Sequence, residues 1–275
     1  MSQKGFSSIL VGAIIIIAIF LVASGYYFKQ QTVSSLKSTL TDKVERVEPK
    51  DADETGDWRT YVSLKYNYLI KYPLNFELDI ITAGSAEPYD VVEIKSTNFS
   101  IGILPLIKKN DYKDLESYVR EYLTIYEDYR ITDLSHKEGD SYQAITVNVD
   151  WKNGSFRTTF LENNDIVFRI GLPEDILATQ MFATFRFLNP TKDKELIELI
   201  ESANAYIKSR SVPDLRFDVS LTRIAGNYAL LYATPRYNKT DPAQIIMEKV
   251  AGRWEGRTMG TAFPEWSEKV PELFQ

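Results

Sequence analysis

The sequence contains no cysteine and only one histidine, His136, in 275 residues. The missing thiols exclude a disulfide staple, a thiolate metal site and a cysteine nucleophile. With one imidazole, any Ser-His-Asp triad or histidine metal site rests on His136, which sits in the polar run DLSHKEGDS and reads as a solvated turn residue. Glycine-rich phosphate cradles are missing as well, since neither GxGxxG nor GxxxxGK[ST] occurs. Basic clusters are scarce and the net charge is -6, which argues against a nucleic-acid partner, because phosphate-backbone binding needs grouped Lys and Arg.

What the chain does have is one long uncharged run, Ile9 to Phe28, ILVGAIIIIAIFLVASGYYF. As a helix it would rise about 30 Å, the depth of a bilayer's hydrocarbon core. A segment apolar on every side must lie in a large core or in lipid, and one so near the N-terminus points to lipid. The leading expectation is an uncleaved signal anchor, residues 1–28, whose partner is the lipid bilayer through residues 9–28. Tyr26, Tyr27 and Phe28 would form its interfacial belt. Lys4 ahead of the run favours an inside N-terminus, with the remaining chain outside the cytoplasm at a cell membrane. Two alternatives stand beside it. Val22-Ala23-Ser24 offers a cleavage site for a secretory signal. Lys4-Gly5-Phe6 resembles the junction cut in type IV prepilins, although Leu10 stands where those pilins carry a glutamate.

From Lys29 to Asp57 apolar residues thin out and charges of both signs alternate, so residues 29–57 read as a polar stalk. Its acidic group Asp51, Asp53, Glu54 and Asp57 lacks the glycine and distal glutamate of a calcium loop in register. Residues 58–190 then alternate as strands. Thr60 to Lys65, Tyr68 to Tyr72, Phe76 to Thr82, Val91 to Lys95 and Phe99 to Leu104 come first. A helix capped by Asp111 carries Leu115, Tyr118, Val119, Tyr122, Leu123 and Tyr126 on one face, a stripe suited to packing on a sheet. Tyr142 to Val149, Ser155 to Leu161 and Ile166 to Ile170 return to strands, with Asn153-Gly154 as a hairpin signal. A short helix, Glu174 to Ala183, leads into Thr184 to Leu188.

The segment KYNYLIKYPLNFEL, the amphipathic helix and the closing run from Ile176-Leu177 to Met181–Leu188 are together similar to PsbP-like domains. The resemblance spans about 58–190. It implies an α/β/α sandwich around an antiparallel sheet and carries no catalytic residues across.

Residues 191–275 open with a helix capped by Thr191 and running to about Ser209, ended by Val212-Pro213. Four strands follow: Leu215 to Ile224, Tyr228 to Pro235, Ala243 to Val250 and Arg253 to Gly260. Gly226-Asn227-Tyr228-Ala229, Ala251-Gly252-Arg253-Trp254-Glu255, Met259-Gly260-Thr261 and Pro271-Glu272-Leu273 are similar to a small cystatin-like α+β domain of bacterial exported proteins. Arg257 departs from that pattern, which usually places a β-branched residue there. The fold class expected for the whole chain is therefore α+β. It comprises an N-terminal transmembrane helix, a PsbP-like sandwich and a helix-plus-four-stranded module.

Residue pairs that invite chemistry have plainer roles available. Glu162 with Asp165, and Glu174 with Asp175, fall in turns, where acids cap and solvate. Asn98, Asn153 and Asn238 head glycosylation triplets that matter only in a host that reads them. Trp151, Trp254 and Trp266 suit packing better than a carbohydrate face. No catalytic, cofactor-binding or metal-ligating set is assigned, and no cofactor is expected. The expectation is a membrane-anchored extracytoplasmic protein with a binding or scaffolding role in the bacterial envelope and an unidentified envelope protein partner. The alternatives are a secreted enzyme or ligand-binding protein, and a pilin-like subunit.

Overall fold

The computed structural model describes residues 55–83, 89–107, 112–125, 128–139, 142–152, 154–236 and 240–274. The apolar run Ile9–Phe28, most of the stalk, the expected cap Asp111, and Tyr126, Asn153 and Asn238 lie outside them. Among the described residues no helix is long and apolar enough to cross a membrane.

Among the described residues fourteen strands form two seven-stranded antiparallel sheets. The first joins β10 (Arg186–Phe187), β2 (Tyr68–Tyr72), β1 (Arg59–Ser63), β11 (Phe217–Ala225), β12 (Tyr228–Pro235), β13 (Ala243–Val250) and β14 (Arg253–Gly260), in that order. The second runs β3 (Glu77–Ala83), β4 (Tyr89–Lys95), β5 (Ser100–Ile107), β9 (Ile166–Leu172), β8 (Gly154–Asn163), β7 (Tyr142–Trp151) and β6 (Arg130–Gly139). Helices are few: α1 (Leu115–Thr124), α2 (Ile176–Ala183), α3 (Lys194–Arg210), α4 (Pro264–Lys269) and a 3₁₀ turn at Pro271–Leu273.

This overturns the expected α+β class. The strands are mostly where their alternation put them, but alternation fixes which face a residue occupies, not which strand lies alongside. β1 pairs with β11, with Thr60 opposite Leu221 and Tyr61 opposite Ser220. The four C-terminal strands are thereby part of a larger sheet, not the sheet of a separate module. Antiparallel ladders dominate, and the helices cover faces or ends.

Two local differences have physical causes. The run containing His136 is not a turn but β6, an edge strand paired with β7. Edge strands are commonly polar and charged, which removes the alternation that would reveal them. Helix α1 is capped by Asp114, whose carboxylate accepts from the Ser117 amide at 2.8 Å.

Packing follows from the register. Tyr61, Tyr68, Ile70 and Tyr72 of the first sheet face Leu78, Ile80, Val92, Ile94, Ile101, Ile103, Phe168 and Ile170 of the second, with Met181 of α2 sealing the core. On the other side of the first sheet, α3 buries Leu199, Ile200, Ala203 and Ile207 against Val62, Val219, Leu231 and Ile245. Tyr206 lies so close to β14 that any side chain at Gly256 would collide with its ring. Leu230 of β12 and Ile246 of β13 pack under Phe263, Val270 and Leu273 of the C-terminal cap. Helix α1 covers Ile145, Val147, Val149, Phe160 and Val167 on the outer face of the second sheet.

Candidate functional site

The first and second sheets meet along a polar seam, and β11 supplies its backbone. Alternation along that strand puts Asp218 and Ser220 on one face. Ser220 stands opposite Tyr61 of β1 and opposite Tyr232 of β12, while Asp218 is opposite Thr234. Arg236 follows β12 immediately and turns back over this face. Its Nε and Nη2 donate to the two Asp218 carboxylate oxygens, both at 2.8 Å, in a bidentate fork. Its Nη1 donates to Thr82 Oγ1 and to Asp90 Oδ1, each at 3.1 Å. Thr82 and Asp90 are register partners on β3 and β4, and the threonine hydroxyl donates to the Asp90 carboxylate at 2.8 Å. One arginine therefore ties the two sheets together.

The surroundings complete this clasp. Lys65 Nζ lies 3.5 Å from Asp90 Oδ2, and the Asp90 amide donates to the Tyr66 hydroxyl at 2.9 Å. Side-chain exposure is only 15% for Arg236 and 11% for each of Asp218 and Asp90. Burial pushes Asp218 above the ordinary carboxylate range, and its bonds to Arg236 offset only part of that. Burial acts on Asp90 in the same direction, but the bonds from Thr82 and Arg236 and the charges of Arg236 and Lys65 bring it below that range. The Arg236 guanidinium is held more firmly protonated: desolvation opposes its charge, and bonding to the carboxylates overrides it. Tyr61 is pushed far upward by burial and by the Asp218 charge, so its phenol keeps its proton.

Two residues further along β11 the pattern changes. The buried Tyr72 hydroxyl donates to Ser220 Oγ at 2.8 Å. Beside it, the guanidinium carbon of Arg59 lies 3.7 Å from the centroid of the Tyr232 ring. Burial raises the Tyr72 phenol, while its bond to Ser220, the Arg59 charge and a bond with Arg59 act against the rise. Arg59 Nε is sealed from solvent and has no hydrogen-bond partner. Among the described residues no carboxylate pairs with Arg59.

A separate cleft of about 240 Å³ opens where α1 meets β6 and β7, lined by Asp114, Glu116, His136, Lys137 and Gln143 among others. Here His136 Nε2 lies 3.0 Å from Glu116 Oε2, and Arg120 Nε donates to Glu116 Oε1 at 2.7 Å. The Arg120 bond, with its charge and that of His136, holds the Glu116 carboxyl below its usual range. The His136 side chain is 57% exposed, so the pair is a surface contact.

The other residues singled out in the sequence do not converge. Asp175 caps α2, accepting from the Leu177 amide at 2.8 Å. Asp165 is exposed in the β8–β9 turn, and Asn98 in the β4–β5 turn. Trp151 meets Tyr129 edge-on, Trp254 is buried beneath α3, and Trp266 meets Tyr228 edge-on at the C-terminal cap. Tyr118 and Tyr122 do pack on the sheet, Tyr122 lying edge-on to Phe160 at 5.7 Å. Arg257, unexpected in its hairpin, is the extra residue of a bulge between β13 and β14, and its guanidinium reaches Glu248 at 2.7 Å. Sequence reasoning missed the seam altogether: Asp90 and Arg236 are 146 positions apart.

No protein-family model and no curated protein matches the sequence. Among solved structures, the chain is similar to the solution structure of cyanobacterial PsbP (CyanoP) from Synechocystis sp. PCC 6803. The identity is 14% and the TM-score 0.36, with 56% of this chain and 98% of that chain covered.

Proposed function

We propose that this chain is a non-catalytic binding or scaffolding protein of the bacterial envelope, held at a membrane through residues 9–28 with its sheets outside the cytoplasm. The observation that carries this reading is the Arg236 clasp. Acids, a cation and tyrosines converge there, and their bonds hold one sheet to the other, as suits a rigid presenting body. The uncharged twenty-residue run supplies the tether, and the partner is another envelope protein.

Carbonate extraction of membranes tests the tether. The full chain should stay in the pellet and a version lacking residues 1–28 should be released. Full-length chain in the soluble fraction would end this reading. Cross-linking in intact cells followed by solubilisation tests the scaffold role. A defined, stoichiometric cross-linked species is expected, and a chain that remains monomeric under every cross-linker would count against it.

A further inference from the structure

We infer that the Arg59 corner of the seam is a binding site for a carboxylate. The inference goes beyond the membrane reading and does not depend on it. Three observations carry it. First, the cation lies over Tyr232 with 3.7 Å between guanidinium carbon and ring centroid, which holds the head of the side chain in place. Second, Arg59 has no carboxylate partner among the described residues, and its buried Nε makes no hydrogen bond. A buried polar group left unpaired costs free energy, so native chains rarely keep one without a use. Third, the same face of the same sheet shows what a satisfied arginine looks like. Arg236, next to Asp218, has two carboxylates and a hydroxyl. Arg59, near Ser220 two positions along, has the Tyr232 ring and a bond to the Tyr72 hydroxyl in place of any carboxylate.

The chemistry of the ligand follows from the chemistry of the corner. One delocalised cation matches one unit of negative charge, and a planar fork matches a planar two-oxygen acceptor. A phosphate carries more charge than this single cation offsets, and Arg223, the next arginine along β11, already pairs with Asp57 at 2.6 Å. Such a carboxylate is either a free small acid or the side chain of a glutamate or aspartate in a partner protein.

The test uses the full chain in micelles of an uncharged detergent, with arginine Nε–H signals followed by NMR. The Arg59 signal is assigned by its loss in Arg59→Met. Two probes are titrated at constant ionic strength: sodium benzoate, and a short glutamate-containing peptide amidated at its C-terminus. Saturable movement of the Arg59 signal with benzoate supports a free acid, and movement with the peptide alone supports a protein side chain. Sodium chloride and sodium phosphate serve as controls. Arg59→Lys keeps the charge but not the fork and should weaken binding at least about tenfold. Tyr232→Leu, which leaves Arg59 in place, should weaken it several-fold. No saturable shift with either probe, or the same shift with chloride or phosphate, would overturn the inference.

Discussion

Arg236 and Arg59 reach the same face of one sheet, beside alternate residues of β11. Arg236 is bonded at Nε and both Nη groups and spans from Asp218 on the first sheet to Asp90 on the second. Arg59 lies on Tyr232 with its Nε sealed and unpaired. The difference shows that burial of a cation does not define its role. With matched acids an arginine becomes a tie between layers. Without them it is a charge held in position, adding little to stability and available to a ligand.

The largest expected effect comes from cutting the tie. Arg236→Met removes the four Arg236 bonds and leaves Asp218 buried without its cation, while Asp90 keeps Thr82 and Lys65. Breaking a buried pair from one side costs about 3–5 kcal/mol. Urea unfolding should show a loss of that size. Adding Asp218→Asn to the same chain should recover a good part of it, because the stranded charge is then gone. A loss below about 1 kcal/mol would erase the distinction between the two arginines.

Next in size is the hydroxyl pair between them. Ser220→Ala leaves the fully buried Tyr72 hydroxyl without its acceptor, at a cost of about 1–3 kcal/mol. Pairing it with Tyr72→Phe should be milder than the two single losses added together. Near-additive losses in that double-mutant cycle would mean that the bond contributes little.

Much of this fold is legible in the sequence, and its limits have a clear physical origin. β2, β12, β13 and β14 are readable because a strand half-buried on one face repeats every two residues. Asp175, standing just ahead of an apolar run, reads as the cap it is. β6 is hidden because an edge strand carries polar residues such as Thr132, Asp133, Ser135 and His136 on both faces. The seam is hidden for a different reason. Thr82, Asp90, Asp218 and Arg236 each look like ordinary residues at a strand or its end. Only the pairing of β1 with β11 and the stacking of the sheets bring them together, and no local pattern encodes either.

A smaller effect separates the acids by the sign of their shifts. The bonds from Arg186, at 2.6 and 2.7 Å, and then the Asn189 amide hold Asp193 below the ordinary carboxylate range against burial. Its stabilising term is therefore fully present above the unfolded-state pKa of about 3.9 and is lost as pH falls through the lower folded value. Asp218 has the opposite sign. Its folded value is raised, so its ionised form weakens folding at neutral pH and that cost fades in acid. Asp193→Asn should cost about 0.5–1 kcal/mol at neutral pH, discounted because Arg186 is half exposed, and should flatten the acid limb of a stability–pH curve. Asp218→Asn should instead remove the gain in stability on acidification that falls between the raised folded value and the unfolded-state pKa, leaving the limb below that pKa unchanged. Superimposable acid limbs for the two variants would show that burial and bonding do not separate these carboxylates.

The smallest expected effect belongs to Arg59 itself. Arg59→Met gives up a cation–π contact with Tyr232, worth about 0.5–1 kcal/mol. It also removes an unpaired buried N–H whose desolvation opposes folding by a comparable amount. The methionine keeps most of the apolar stem, so β1 still packs between β2 and β11. The two terms nearly cancel, and urea unfolding should place the variant within about 1 kcal/mol of the parent. Against the loss expected for Arg236→Met, that near-silence is the sharpest form of the comparison. A cost for Arg59→Met as large as the one at Arg236 would mean that Arg59 is a structural tie like its neighbour.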